Sequence, residues 1–127
     1  MAFIEELERA VLDMLLAGEH PILEALRLQA GSASVAERKL SGVGFFTTFL
    51  VPPNVPSAPG DGNYRFGDVV ADVRQLAHGA GFLLLVKSGR IYRLEGYSFD
   101  EGWPVGSFQF SLRYVKLPRD LSALGLR

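Results

Sequence analysis

The stretch GAGFLLLVKSGRIYRLEGYSFDEGWP, residues 79–104, decides the fold of this chain. An apolar run over residues 82–86 is followed by a second run of strand-forming residues, with Ser88 and Gly89 between them as a two-residue turn. The pattern predicts a β-hairpin. Its first strand is apolar on both faces, so we expect a central strand covered above and below, or one whose second face meets a partner.

The N-terminal part of the chain has a helical pattern. Apolar residues recur at three- and four-residue steps over residues 3–17, which predicts an amphipathic helix that ends at Gly18. The polar side of this helix is expected to carry Glu5, Glu6, Glu8, Arg9 and Asp13. Pro21 is placed to open a second helix that stops at Gly31, and His20 is expected to cap it or to face solvent.

The remainder of the chain favours strands. Residues 33–51 predict two strands that meet near residues 41–44, although a helix over 35–40 stays open. Residues 51–63, VPPNVPSAPGDGN, predict an irregular loop because they contain four prolines. Alternation predicts strands over 67–73 and 107–117, and Asp120 is a candidate cap for a short helix within 119–127.

These patterns predict an α+β fold and a single domain over residues 1–127. Two N-terminal helices are expected to pack on a mostly antiparallel sheet of five or six strands.

Composition and charge argue against several partners. Thirteen basic and fourteen acidic residues give a net charge of −1, so we expect neither a nucleic acid nor a membrane surface as partner. The longest apolar run is far shorter than the roughly 20 residues of a membrane-spanning helix. The N-terminal segment carries acids where a signal peptide carries positive charge, and cysteine is absent. We therefore expect a soluble, cytoplasmic protein without a cofactor.

Carboxylates are the best candidates for chemistry, and Glu95 is the most interesting of them. Alternation along the second hairpin strand puts Arg93, Glu95 and Tyr97 on one face. If Ile91 points inward on that same face, Glu95 is partly buried and needs a partner, and Arg93 is near enough to supply one. A structural ion pair is the simpler interpretation.

The sharper interpretation is catalytic. Glu95 together with Asp68, Asp72 or His78 would form the site of a small hydrolase or a metal-dependent enzyme. His78 lies in LAHGAG, between two predicted strands, where a role in a turn is the alternative. The chain has no Gly-X-Ser-X-Gly motif and no complete phosphate-binding loop.

Aromatic residues raise two further alternatives. Trp103 in DEGWP is either a core plug that anchors a loop or a ligand-stacking side chain, and with Tyr97 it could line a small-ligand pocket between helices and sheet. Phe45 and Phe46 are adjacent on a predicted strand and must face opposite ways, so one of them needs a cover.

Three segments carry a resemblance. SGVGFFTTFLVP (41–52), HGAGFLLLVKSGRIYRLEGYSFDEGWP (78–104) and FSLRYV (110–115) together make up about a third of the chain. They resemble a group of small uncharacterised bacterial proteins that share a Gly-Val-Gly-Phe-Phe strand and a Leu-Glu-Gly-Tyr hairpin ending in Trp-Pro. The resemblance implies a bacterial source but neither an activity nor a cofactor.

Few reactive side chains and several strand aromatics favour a non-enzymatic protein-binding or interaction module. A homodimer formed through a sheet edge or through the aromatic face is also expected. The enzyme that uses Glu95 is the competing hypothesis.

Overall fold

The computed structural model describes residues 2–126, so the two ends of the predicted domain, Met1 and Arg127, lie outside the described residues. Two helices, α1 (Ile4–Leu15) and α2 (Pro21–Ser32), precede all the strands, which confirms the α+β prediction. The strands are β1 (Ser34–Leu40), β2 (Gly44–Leu50), β3 (Tyr64–Phe66), β4 (Val69–Val73), β5 (Ala80–Lys87), β6 (Arg90–Ser98) and β7 (Phe110–Tyr114). Short 3-10 turns lie at Pro59–Asp61 and Ser122–Leu124.

All seven strands belong to one antiparallel sheet of order β1-β2-β6-β5-β4-β7, and β3 pairs with β5 beside β4. The sequence predicted five or six strands and the sheet has seven. The additional strand, β3, is only three residues long and therefore too short to show a periodic pattern. The hairpin of residues 79–104 forms the centre, and its turn has positive φ at both Ser88 (51°) and Gly89 (74°). These angles are those of a type I′ turn, which matches the twist of the flanking strands.

Helix α1 packs on one sheet face over β5, β4 and β7, and α2 packs on the same face over β6. Leu7, Val11 and Leu15 recur every four residues, are fully buried and form one continuous core with the sheet. Helix α2 begins at Pro21, as predicted. His20 is its N-cap, and the Nδ1 of His20 accepts a hydrogen bond from the N–H of Ile22 (3.1 Å). In the described part of the chain, neither helix is long and apolar enough to cross a membrane.

The sheet has an inner face toward the helices and an open face away from them. Phe82, Leu84 and Val86 of β5 point to the inner face and are buried, whereas Leu83 and Leu85 point to the open face and are partly exposed. Both helices pack on the inner face, so no helix in residues 2–126 lies over the open face. Of the two alternatives for this strand, the structure favours the one with an uncovered second face.

A β-bulge in β6 sets which side chains reach the open face. Val86 pairs with Ile91 and Leu85 pairs with Arg93, so Tyr92 is the extra residue. Ile91 is therefore buried on the inner face while Arg93 points to the open face. Strict alternation would have put both residues on one face, and the bulge makes that expectation wrong.

The proline-rich segment 51–63 is irregular, as predicted, apart from its single 3-10 turn. The buried amide of Gln29 fastens it to the central hairpin, donating to the carbonyls of Pro56 (3.1 Å) and Gly89 (2.8 Å) and accepting from the N–H of Ile91 (2.9 Å). Arg90 donates to further carbonyl groups of the same segment. The long loop is thus held against the sheet.

Candidate interaction surface

The structure places the predicted catalytic carboxylates apart. Asp68 accepts two hydrogen bonds from Arg119 (2.6 and 3.0 Å), which also donates to the carbonyls of Leu15 and Ala17. Arg119 therefore fastens the C-terminal segment both to Asp68 and to the end of α1. Asp72 lies on the open face of β4, where the nearest basic group is the exposed Arg113 at 3.6 Å.

Glu95 lies too far from Asp72 to share a substrate with it. Glu95 pairs with Leu83 of β5. Asp72 follows Ala71, which pairs with Ala80, so Asp72 is level with Gly79 of the chain that enters β5. The two carboxylates are therefore about four residues, or 13 Å, apart along the strands. Among residues 2–126, no three His, Asp or Glu side chains are grouped so that they could hold a metal ion. The structure therefore does not bring Glu95 and Asp72 together at one site.

Tyr97 and Trp103 lie on opposite faces of the sheet. Trp103 is buried on the inner face, where its ring meets Phe45 edge-on at 5.3 Å and Phe108 at 6.2 Å. Tyr97 lies on the open face with its ring across Gly81, close enough that an added Cβ would meet the ring at 2.5 Å. The geometry supports the core-plug interpretation of Trp103, and the two rings line no common pocket.

His78 lies in a turn that Glu101 organises. The Glu101 carboxylate accepts hydrogen bonds from the N–H groups of Ala77 (2.8 Å) and His78 (3.0 Å). These bonds favour the charged carboxylate and lower the pKa of Glu101, the bond from Ala77 being the larger cause. This role of Glu101 was not predictable from the sequence, because its partners are backbone groups more than twenty residues away.

Glu101 is expected to titrate below the ordinary glutamate range. A group with a lowered folded-state pKa stabilises the fold above its unfolded pKa, and that contribution is lost as pH falls through the folded pKa. Following the Glu101 carboxyl carbon by NMR against pH should give a midpoint lower than in an unstructured peptide of the same local sequence. Equal midpoints would contradict the two hydrogen bonds.

The open face presents apolar and aromatic side chains with Arg93 and Glu95 among them. Side chains of the central strands on this face are Phe46, Val70, Leu83, Leu85 and Tyr97, and Phe99 follows β6. Phe46 is 36% exposed, Tyr97 43% and Phe99 50%, and the rings of Tyr97 and Phe99 meet edge-on at 5.8 Å. Phe45 and Phe46 face opposite ways as predicted, and Phe46 is the one without a cover.

Arg93 is the central charged group of the open face. Its guanidinium lies over the rings of Tyr92 (5.0 Å) and Phe46 (5.8 Å), and its Nε is 3.9 Å from the carboxylate of Glu95. That separation satisfies an ion pair but not a hydrogen bond, and the buried Nε has no hydrogen-bond partner among the described residues. The predicted Arg93–Glu95 pair is thus present but loose.

A buried ion pair on the inner side escaped the sequence analysis. Glu8, assigned there to the polar side of α1, is only 4% exposed; it accepts two hydrogen bonds from Arg38 (2.9 and 2.5 Å) and one from the hydroxyl of Thr47. The hydrogen bond to Glu8 is the main cause that raises the pKa of Arg38. The spacing Ile4, Glu8, Leu12, in which an acid interrupts an apolar row, was the available signal.

Beside this ion pair, α1 and β1 border a cleft of ≈ 420 Å³. Residues of α1 between Glu5 and Leu16 line one side, and Val35, Arg38 and Phe49 line the sheet side. Helix α2 and its C-cap form a further wall with Arg27, Ala30, Gly31 and Ala33. The cleft is the second candidate site in the molecule.

No family model, no curated protein and no solved structure matches the chain. The resemblance to small bacterial proteins stays a prediction. The open face and the cleft are the features of the structure that bear on function.

Proposed function

We propose that this protein is a non-enzymatic protein-binding module whose open sheet face binds an acidic, partly apolar surface of another protein. The observation that carries the proposal is the uncovered aromatic and aliphatic surface on four neighbouring strands, β2, β6, β5 and β4. Contiguous exposed apolar surface ringed by polar groups is typical of interaction sites, and aromatic residues and arginine are enriched at their centres.

Charge on the open face supports an acidic partner. By strand register the basic side chains on this face include Lys39, Arg65, Lys87, Arg93 and Arg113, and Arg90 pairs with Lys87; the acidic ones are Glu37, Asp72 and Glu95. Each acid lies within ion-pair distance of one base, and the remaining bases leave this face with an excess of positive charge. The whole chain has a net charge of −1, so this face differs in sign from the rest of the surface.

The same charge disfavours an identical partner. Two open faces brought together would each contribute the positive excess, and like charges across an interface oppose association. We therefore do not propose a homodimer through this face, and self-association through it would count against the proposal. The absence of cysteine suits a reducing compartment, so a bacterial cytoplasmic location completes the proposal.

Affinity capture with matched variants tests the proposal. Phe46→Thr combined with Tyr97→Thr removes two of the three exposed rings of the open face and keeps strand-forming residues, so the fold should persist. A partner captured by the wild-type protein is expected to lose roughly 30-fold in affinity for this variant, as when a central aromatic residue is removed from an interface. The affinity for the purified partner should also fall as salt is raised.

The control variant is Val105→Thr with Leu117→Thr, which removes two exposed apolar side chains from loops outside the open face. It should bind the partner like the wild type. The proposal would be overturned if all three proteins captured the partner equally. It would also be overturned if sedimentation showed that the wild type self-associates and that the Phe46 and Tyr97 variant does not.

A further inference from the structure

Positive charge on the open face is concentrated around Leu85. Leu85 pairs with Arg93 of β6 on one side and with Arg65 of β3 on the other, and Lys87 lies two residues along β5 on the same face. We call these four residues the Leu85 cluster. The cleft between the helices and β1 has no such bias, because three acidic and three basic side chains line it.

The positions of the two arginines follow from the strand register. Neighbouring strands lie about 4.8 Å apart, so Arg65 and Arg93 flank Leu85 on opposite sides, roughly 10 Å from one another across β5. Leu85 itself is partly exposed. An apolar side chain is thus accessible between two cationic ones.

The cations of the Leu85 cluster have no hydrogen-bonded carboxylate among the described residues. Arg65 is exposed and makes no ion pair there. Lys87 is also exposed, and its ammonium group lies over the Tyr92 ring at 4.6 Å rather than beside an acid. Arg93 has only Glu95, with 3.9 Å between the Nε and a carboxylate oxygen. Three positive charges therefore face one loosely held negative charge.

The Arg93 guanidinium is held in place before any partner binds. It lies over the rings of Tyr92 and Phe46, at 5.0 and 5.8 Å, and its Nη2 is 3.4 Å from the Tyr92 hydroxyl. An ordered side chain loses less conformational entropy on binding than a free one. Arg93 therefore suits recognition of a carboxylate, which an arginine can bind through two parallel hydrogen bonds.

We infer that the Leu85 cluster is the recognition element of the open face and binds a partner surface on which two carboxylates flank an apolar side chain. The apolar side chain packs on Leu85, one carboxylate binds Arg93, and the other binds Arg65. Lys87 adds to the attraction. This inference rests on the proposed function, because it names the part of the partner that the open face recognises.

The same cations would attract phosphate groups, but the acids of the open face disfavour a nucleic acid. Glu95 lies beside Arg93, and Asp72 lies on β4 of the same face. A nucleic acid carries a phosphate at every nucleotide and would bring some of these charges near the two carboxylates. A protein surface can place two carboxylates and keep the rest of the contact apolar.

Two rigid probes that differ by one carboxylate test this inference. Biphenyl-4,4′-dicarboxylate is an apolar rod with a carboxylate at each end, and biphenyl-4-carboxylate has the same rod and one carboxylate. NMR titration of the full chain at low salt should show about fivefold tighter binding of the dicarboxylate, with shifts at amides of β3, β5 and β6. Arg65→Gln and Arg93→Gln should each abolish this difference, because only one of the two arginines remains.

The matched control is Arg113→Gln, because Arg113 is an exposed arginine of the open face that lies on β7, outside the Leu85 cluster. It should leave the preference for the dicarboxylate unchanged. Equal affinities of the wild type for the two probes, a preference that persists in the Arg65 variant, or tighter binding of a short oligothymidylate would each overturn the inference. The wild type and the Arg65 variant decide the matter if the Arg93 variant does not fold.

Failure of the inference and failure of the proposed function are distinguishable, because the probes do not require the partner. A partner captured through Phe46 and Tyr97, together with equal binding of the two probes, would overturn the inference and leave the proposed function standing. A preference for the dicarboxylate without any captured partner would overturn the proposed function, while the charge selectivity of the Leu85 cluster would stand.

Discussion

Replacing Glu8 with alanine is expected to lower the free energy of unfolding by about 2–4 kcal/mol. The substitution removes both acceptors of Arg38 and the partner of the Thr47 hydroxyl. The Arg38 guanidinium then loses its buried partner. The Arg38 side chain is 23% exposed and lies 3.6 Å from Glu5, so water and Glu5 recover part of the loss and keep the effect below the full cost of a buried charge.

The matched control removes the pair as a whole. Glu8→Leu combined with Arg38→Met replaces both charges by apolar side chains of similar length, and buried pairs replaced in this way often cost little. Urea unfolding followed by circular dichroism should therefore give a double variant much closer to wild type than Glu8→Ala. A Glu8→Ala protein as stable as the wild type would contradict the buried ion pair.

Trp103→Ala is expected to cost about 3–5 kcal/mol, because a large buried ring leaves a cavity between Phe45 and Phe108. Trp103→Phe should cost only about 1–2 kcal/mol, because it retains an aromatic ring in the same space. It also sacrifices no hydrogen bond, since the Trp103 Nε1 has no partner among the described residues.

Urea unfolding followed by circular dichroism measures both tryptophan variants without relying on tryptophan fluorescence. A free energy of unfolding that is clearly lower for Trp103→Ala than for Trp103→Phe indicates a core plug rather than a ligand-stacking residue. A Trp103→Phe protein as unstable as Trp103→Ala would show that the indole N–H has an essential partner.

Much of the fold was predictable from local sequence. The apolar run of β5, the Ser88-Gly89 turn and the four-residue apolar spacing of α1 each depend on neighbouring residues, and the structure has the hairpin and the helix there. The three-residue β3 and the bulge at Tyr92 depend on pairing with a distant strand. No local period reports them.

The candidate sites were less predictable for the same reason. Alternation found the shared face of Arg93, Glu95 and Tyr97, but sequence alone could not show that Asp68 is held by Arg119 or that Asp72 lies far along the sheet. The cleft was not predictable from local sequence, because residues that meet there, such as Glu8 and Arg38, are about thirty positions apart.

Site-specific photocrosslinking at the open face tests the central claim most directly. Tyr97 is replaced by the photoreactive residue p-benzoylphenylalanine, and the 90% exposed Val105 is replaced in a control protein. After irradiation in cells of the native host, position 97 should give a discrete adduct with one different protein, and position 105 should not. No adduct at position 97, the same adducts at both positions, or an adduct of two copies of this chain would contradict the account.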